Sequence, residues 1–217
     1  MSKAESTRAH IIEQAANLFN QKGYAGSSMS DIMQATGLKK GGIYNHFGSK
    51  DELALAAFDY AATTMGARYI KAIREKASEG AIAQLHAVLD MFRQNMKDAV
   101  IEGGCPLLNT AIESDDNHPA LRERTQQAMG RWHQSIQQVV RKGIKRGELP
   151  ADVDPGAVAT VIISTLEGSL MMTKLYNDPQ YIGHSLSHLQ SYVDSLSIEG
   201  HSTLEKIPKK GDKAQQQ

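Results

Sequence analysis

Apolar residues recur along this chain at intervals of three and four, and strand-like alternation is almost absent, so the pattern predicts an all-helical protein. Near the N-terminus the periods are short and broken. Ser28 opens one helix: its hydroxyl is placed to cap the amide three residues on, and Asp31 answers from the N3 position. Ile32 and Met33 supply the buried side, Gly37 takes the left-handed conformation that ends a helix, and Leu38 pins the turn. A second short helix is predicted over 39–47, with Ile43 and Phe47 at i, i+4 as its inward face.

Beyond this pair the helices lengthen. One spans 50–76 with Leu53, Ala57, Tyr60 and Met65 on or near one face, starting from a capping box of Ser49 and Glu52. Another covers 81–101 with Leu85, Val88, Leu89, Phe92 and Met96 inward, and Gly103, Gly104 and Pro106 break it. A short helix at 106–114 precedes a long one opened by Pro119 and closed near Gly147, striped by Leu121, Thr125, Ala128, Trp132, Ile136, Val139 and Ile144. Asp154 and Pro155 cap a helix to about residue 176, and Pro179 begins a last one ending near Leu196. The polar stretch 198–217, with Pro208, Gly211 and three terminal glutamines, reads as a disordered tail.

The outward face of the 39–47 helix carries Lys40, Gly41, Gly42, Tyr44, Asn45 and His46. Each glycine costs a helix interior roughly 1 kcal/mol relative to alanine, so this backbone is expected to lie close to something, and a DNA groove fits. Lys50, in the first turn of the following helix, opposes the helix macrodipole; an external phosphate explains its placement.

The order and spacing of these residue types resemble the DNA-binding domain of the TetR/AcrR family of transcriptional repressors. The matching residues are Ile11, Ala15, Phe19, Gly23 and Tyr24, then Ser28, Ile32, Ala35, Gly37, Leu38, Ile43, Tyr44, His46, Phe47, Lys50 and Leu53, across about 50 N-terminal residues. The resemblance implies a three-helix helix-turn-helix domain at 1–50, followed at 51–197 by a larger helical ligand-binding and dimerisation domain. It implies a DNA-facing set of Ser28, Ser30, Lys39, Lys40, Gly41, Gly42, Tyr44, Asn45, His46 and Lys50. Within that set Ser28, Tyr44, His46 and Lys50 would hold the phosphate backbone, while Lys40, Gly42 and Asn45 would face base edges. Lys39 stands where the family usually has a serine or similar cap, which weakens the start of the helix and adds a cation near phosphate. The alternative for Tyr44 and His46 is packing against the next helix.

Charge follows the same division. The chain has 24 basic and 24 acidic residues, but residues 1–50 carry six Lys and Arg against three Asp and Glu, whereas 51–197 carry 14 against 18. The basic surplus lies with the motif, as a phosphate-binding footprint should, and it is small enough that tight binding needs two copies. No apolar run reaches the roughly 18 residues that span a bilayer, and the first ten residues lack the apolar core of a signal peptide. One cysteine excludes an intramolecular disulfide and a cysteine zinc cluster, so a reducing cytoplasm is the expected compartment.

The 157–176 stretch is apolar over more than one face and suits self-association with the last helix as a four-helix interface; burial within one subunit is the alternative. A homodimer would read a palindromic operator with two recognition helices. The resemblance further implies a small-molecule pocket in the larger domain, with release from DNA on binding. Phe92, Met96, Leu108, Met129, Trp132 and Met171 are candidates for its wall or for plain core. Cys105, in Gly-Gly-Cys-Pro at a helix start, has two readings: a thiolate stabilised by the dipole that senses electrophiles or oxidants with Lys174 nearby, or an inert buried thiol. An enzyme is the competing class, yet no nucleotide loop, nucleophile motif or catalytic carboxylate pair occurs, and neither a cofactor nor a metal is expected. His184 and His188, at i, i+4, lack a further ligand at fixed spacing and read as a solvated face. An activator or a low-specificity DNA binder would carry the same motif.

Overall fold

The computed structural model describes residues 2–114 and 118–199. Among them the chain is helical throughout: α1 (Lys3–Lys22), α2 (Met29–Thr36), α3 (Lys40–Tyr44), α4 (Lys50–Glu75), α5 (Ala81–Lys97), α6 (Pro106–Glu113), α7 (Pro119–Lys145), α8 (Pro155–Tyr176) and α9 (Gln180–Ser195). The tail read at 198–217 lies, from residue 200 on, outside the described residues.

Two hydrophobic cores result. The smaller gathers Ile11, Ala15, Ile32, Ile43, Phe47 and Leu53 from α1 to α4; the larger fills the space among α4 to α9 around Leu85, Leu89, Ile136, Ile162 and Leu166. They meet along α4, whose Leu53, Ala57 and Ala61 belong to the first and whose Phe58 and Tyr69 belong to the second. The division drawn at residue 50 therefore falls at the start of a helix that both cores share.

Local chemistry sets the elements. Ser28 caps α2 through Asp31 N at 3.1 Å while Asp31 accepts from Ser28 N at 2.8 Å, and Gly37 ends the helix at φ 70°. The box expected at α4 is half formed: Ser49 Oγ accepts from Glu52 N, but the Glu52 carboxylate accepts from Gly48 N instead of Ser49 N. Glu148 supplies the cap that Gly80 lacks, accepting from Ala81 N at 2.6 Å.

Two helices are shorter than the periodicity implies. In α3 the regular turn ends at Tyr44, and residues 45–47 tighten so that His46 N reaches Ile43 O at 2.9 Å. Helix α5 stops at Lys97 because Ile101 is needed elsewhere: it is buried in the N-terminal core, which the chain reaches only by leaving the helix. Met96, expected to point inward, is 38% exposed.

Helix α8 is long and apolar enough to cross a bilayer, contrary to the reading of apolar runs alone. Its packing explains the composition, since it lies against α7 and α9 with Val158, Ile162, Leu166 and Leu170 buried in the larger core. Val161, Met171, Leu175 and Tyr176 remain exposed along the same helix.

Candidate nucleic-acid interface and cavity

Helix α3 is held from beneath. Ile43 and Phe47 are each 1% exposed in the N-terminal core, and the Arg8 guanidinium lies 4.8 Å above the Phe47 ring. The opposite face is open: Lys39, Lys40, Gly41, Tyr44 and Asn45 are exposed, and Gly42 and His46 are half-buried. Ser28 and Ser30 are exposed on the neighbouring α2 edge. Lys39 occupies the α3 N-cap without any side-chain cap bond, as its departure from the usual cap residue implies.

The glycines of α3 have no packing role inside the protein. A Cβ added at Gly41 would meet nothing within 4 Å, and one at Gly42 would meet only the Leu38 Cβ at 3.7 Å. Their conformational cost is therefore offset by nothing in the chain itself, and the bare backbone surface faces outward.

Lys50 has a partner within the chain. Its ammonium donates to the Tyr24 carbonyl at 2.6 Å and sits 4.1 Å from the Tyr24 ring centroid, so a local partner accounts for its position at the helix start. Ser28 likewise spends its hydroxyl on the α2 cap, beside an Asp31 whose carboxyl the Lys22 ammonium at 2.8 Å holds well below the usual carboxylate range.

Against the larger core lies a cavity of about 490 Å³, in the range of drug-sized ligand sites, whose wall also takes in the exposed Ile70, Met96 and Val100. Phe92, Met96, Cys105 and Trp132 line it, four of the residues the sequence suggested. The other four do not. Leu108 packs against the core, Met129 borders a separate groove between α6 and α7, and Met171 is 47% exposed on the outer side of α8. Lys174 donates to the Gly103 carbonyl at 2.7 Å, lying along the loop before Cys105.

Cys105 is the N-cap of α6, yet the helix dipole does not govern it. Burial pushes its thiol well above the ordinary value, and its charged neighbour is Glu167, which adds to the shift. Of the two readings of this residue, burial favours the inert, protonated thiol, because desolvation outweighs one helix terminus. Glu167 is itself 6% exposed, with the Cys105 side chain beside its carboxyl, and burial pushes it up to about 7. A carboxylate midway along the most apolar helix was the visible signal for it.

The cavity is joined to the α3 platform through residues the periodicity did not single out. Ile101 belongs to the cavity wall and to the N-terminal core at once. Asn20, buried near the end of α1, donates to the carbonyls of Glu102 and Gly104, and Asn109 on α6 donates to Asn20 and to the Gly103 carbonyl. Gly103, at φ 97°, could carry no side chain, since a Cβ would stand 2.6 Å from the Asn20 carbonyl oxygen. Glu113, at the end of α6, accepts from Tyr24 N and Ala25 N at 2.9 and 2.7 Å, holding the turn between α1 and α2. Nothing in the sequence marks these polar residues, because each acts on backbone groups some 80 to 90 positions away.

His184 and His188 are both exposed on α9.

Residues 11–57 match the model of bacterial regulatory proteins of the tetR family, and residues 81–189 match that of the tetracyclin repressor-like C-terminal domain. The chain is 28% identical over 197 residues to the HTH-type transcriptional regulator TtgR of Pseudomonas putida, covering 89% of this chain and 90% of TtgR. It is 26% identical to the HTH-type transcriptional repressor DhaR of a Mycobacterium species, over 77% of this chain and 82% of DhaR. Among solved structures, a TetR transcriptional regulator from Chloroflexus aurantiacus superposes with a TM-score of 0.85 at 44% identity, covering 91% of this chain and 98% of that one.

Proposed function

Because the chain belongs to the TetR family of DNA-binding transcriptional regulators, which are not enzymes, we propose that it works as a cytoplasmic homodimeric repressor, released from a palindromic operator when a small molecule fills the cavity. The observation that carries this reading is Ile101, a side chain shared by the cavity wall and the core beneath α3. A ligand shifts an equilibrium only by its differential affinity for two states, and such a shared residue gives filled and empty cavities different costs for one arrangement of the α3 platform.

On DNA, α3 lies in the major groove, with Lys40, Gly42 and Asn45 toward base edges and Ser28, Ser30, Lys39, Tyr44 and His46 near phosphates. Lys50 has donors left after serving Tyr24, and a phosphate takes one of them. Gly41 keeps the approach close. The exposed apolar positions of α8 pair about a two-fold axis with those of a second copy, placing two α3 helices on two half-sites. Genomic fragments selected by the full-length protein should share a palindrome, and sedimentation should give twice the 23.7 kDa chain mass. Fragments with no common sequence favour a low-specificity binder, and a monomer on DNA defeats the two-half-site reading.

The coupling has its own test. Glu113→Ala removes the acceptor that holds Tyr24 N and Ala25 N, and it should lower operator affinity several-fold in the absence of effector while ligand affinity in the cavity changes little. Titration of labelled operator by anisotropy measures the first and calorimetry the second. Unchanged operator affinity would remove Glu113 from the path.

A further inference from the structure

The walls of the cavity specify more than a volume. Trp132 Nε1 is buried without a hydrogen-bond partner, although groups so placed are nearly always paired, and the buried Asn95 amide has only the Tyr69 side chain beside it. Both residues line the cavity, Asn95 from α5 and Trp132 from α7. Tyr69 ties them together, its ring centroid 5.5 Å from that of Trp132 and its hydroxyl beside Asn95. An indole can only donate, so its missing partner is an acceptor; an amide donates and accepts. A carbonyl oxygen answers the two donors, and a hydroxyl answers the acceptor as well.

Apart from Thr63, Ser135 and Arg131 the remaining side chains of the wall are apolar, with Phe92 and Tyr69 contributing aromatic rings and Met65 and Met96 adaptable thioethers. Gly66, midway along α4, also borders the space, and a Cβ there would meet nothing within 4 Å. Arg131 is the only charged side chain in the wall among the described residues, and it is exposed. Burial holds the Tyr69 hydroxyl and the Cys105 thiol protonated, so the interior offers no countercharge.

We propose that the effector is an uncharged, ring-based apolar compound carrying a hydroxyl or carbonyl oxygen, and that Asn95 and Trp132 bind this oxygen. The assignment rests on the cavity being the effector site. Four probes of one skeleton test it on the full-length protein: 2-acetylnaphthalene, 2-naphthol, 2-ethylnaphthalene and 2-naphthoate. Calorimetry reads affinity, and the indole N–H resonance of the single tryptophan reads the contact.

The neutral oxygenated compounds should bind about tenfold tighter than 2-ethylnaphthalene, as one hydrogen bond to an otherwise unpaired donor implies, and 2-naphthoate should bind weakest. Only the first two should move the indole resonance downfield. Ketone and naphthol binding alike points to the two donors; naphthol alone adds the Asn95 oxygen as acceptor. In Asn95→Leu the preference for oxygen should shrink several-fold while 2-ethylnaphthalene keeps its affinity, and Trp132→Phe, which retains an aromatic ring, gives the same comparison should the first variant not fold. Equal binding of all neutral compounds, or an unmoved indole signal, overturns the polar assignment and leaves the cavity a ligand site. Failure of all four to bind overturns the cavity reading along with it.

Discussion

Glu167→Gln is expected to stabilise the protein by about 3 kcal/mol at pH 8 and by little at pH 4, following from a carboxyl pushed from 4.5 to about 7. In the folded chain burial disfavours the carboxylate, and the Cys105 side chain offsets this only in part; unfolded, the same group ionises freely. The folded state therefore holds its proton to higher pH, and stability falls as pH rises from near 4.5, reaching its full loss above about 7. Glutamine has no proton to lose, and the variant should lack this part of the pH dependence. Urea denaturation of both proteins at pH 4 and pH 8, at one protein concentration because assembly contributes, measures the difference. A gap of equal size at both pH values would mean that packing, and not ionisation, separates them.

Gly41→Leu should abolish operator binding at a stability equal to or above that of the parent. The two effects come from different sides of one residue. Inside the chain a side chain at 41 meets open space, and replacing glycine in a helix lowers the backbone entropy cost by up to roughly 1 kcal/mol. Outside, an isobutyl group would stand between α3 and the floor of the groove in each half-site. Loss of the base contacts it displaces, at roughly 1 to 3 kcal/mol each in two half-sites, corresponds to about 100-fold or more in affinity. Anisotropy with the selected operator and thermal unfolding, measured on one preparation, separate the two. Retained affinity would take the Gly41 face out of the groove.

Both expectations depend on residues of which the sequence spoke unequally. Gly41 was conspicuous because a helix interior rarely carries adjacent glycines, and the reading that followed, a backbone needed close to something external, gains support from the empty space around it. Glu167 stood in plain view within an apolar helix but had no meaning until the fold placed Cys105 beside it. For Cys105 the sequence left two readings open, because a position at a helix start says nothing about how deeply that start is buried. The partner Lys50 has inside the chain, the Tyr24 carbonyl, was invisible in the sequence because it is 26 residues away.

The sequence by itself determined what is local: the helical period, the caps at Ser28 and Asp154, the left-handed Gly37, the order of short helices before long ones, and the inward Ile43 and Phe47. These depend on neighbours within about one helical turn, and residue type alone constrains them. Tertiary structure decided which of the apolar residues surround a void and which fill one, since Phe92 and Leu108 have the same periodicity and different surroundings. It alone turned Ile101 out of α5 into the other core and brought Asn20 and Glu113 to backbone groups distant in sequence. Periodicity reports which face of a helix is buried; what that face meets depends on how the helices cross, and the link between cavity and α3 lies in those crossings.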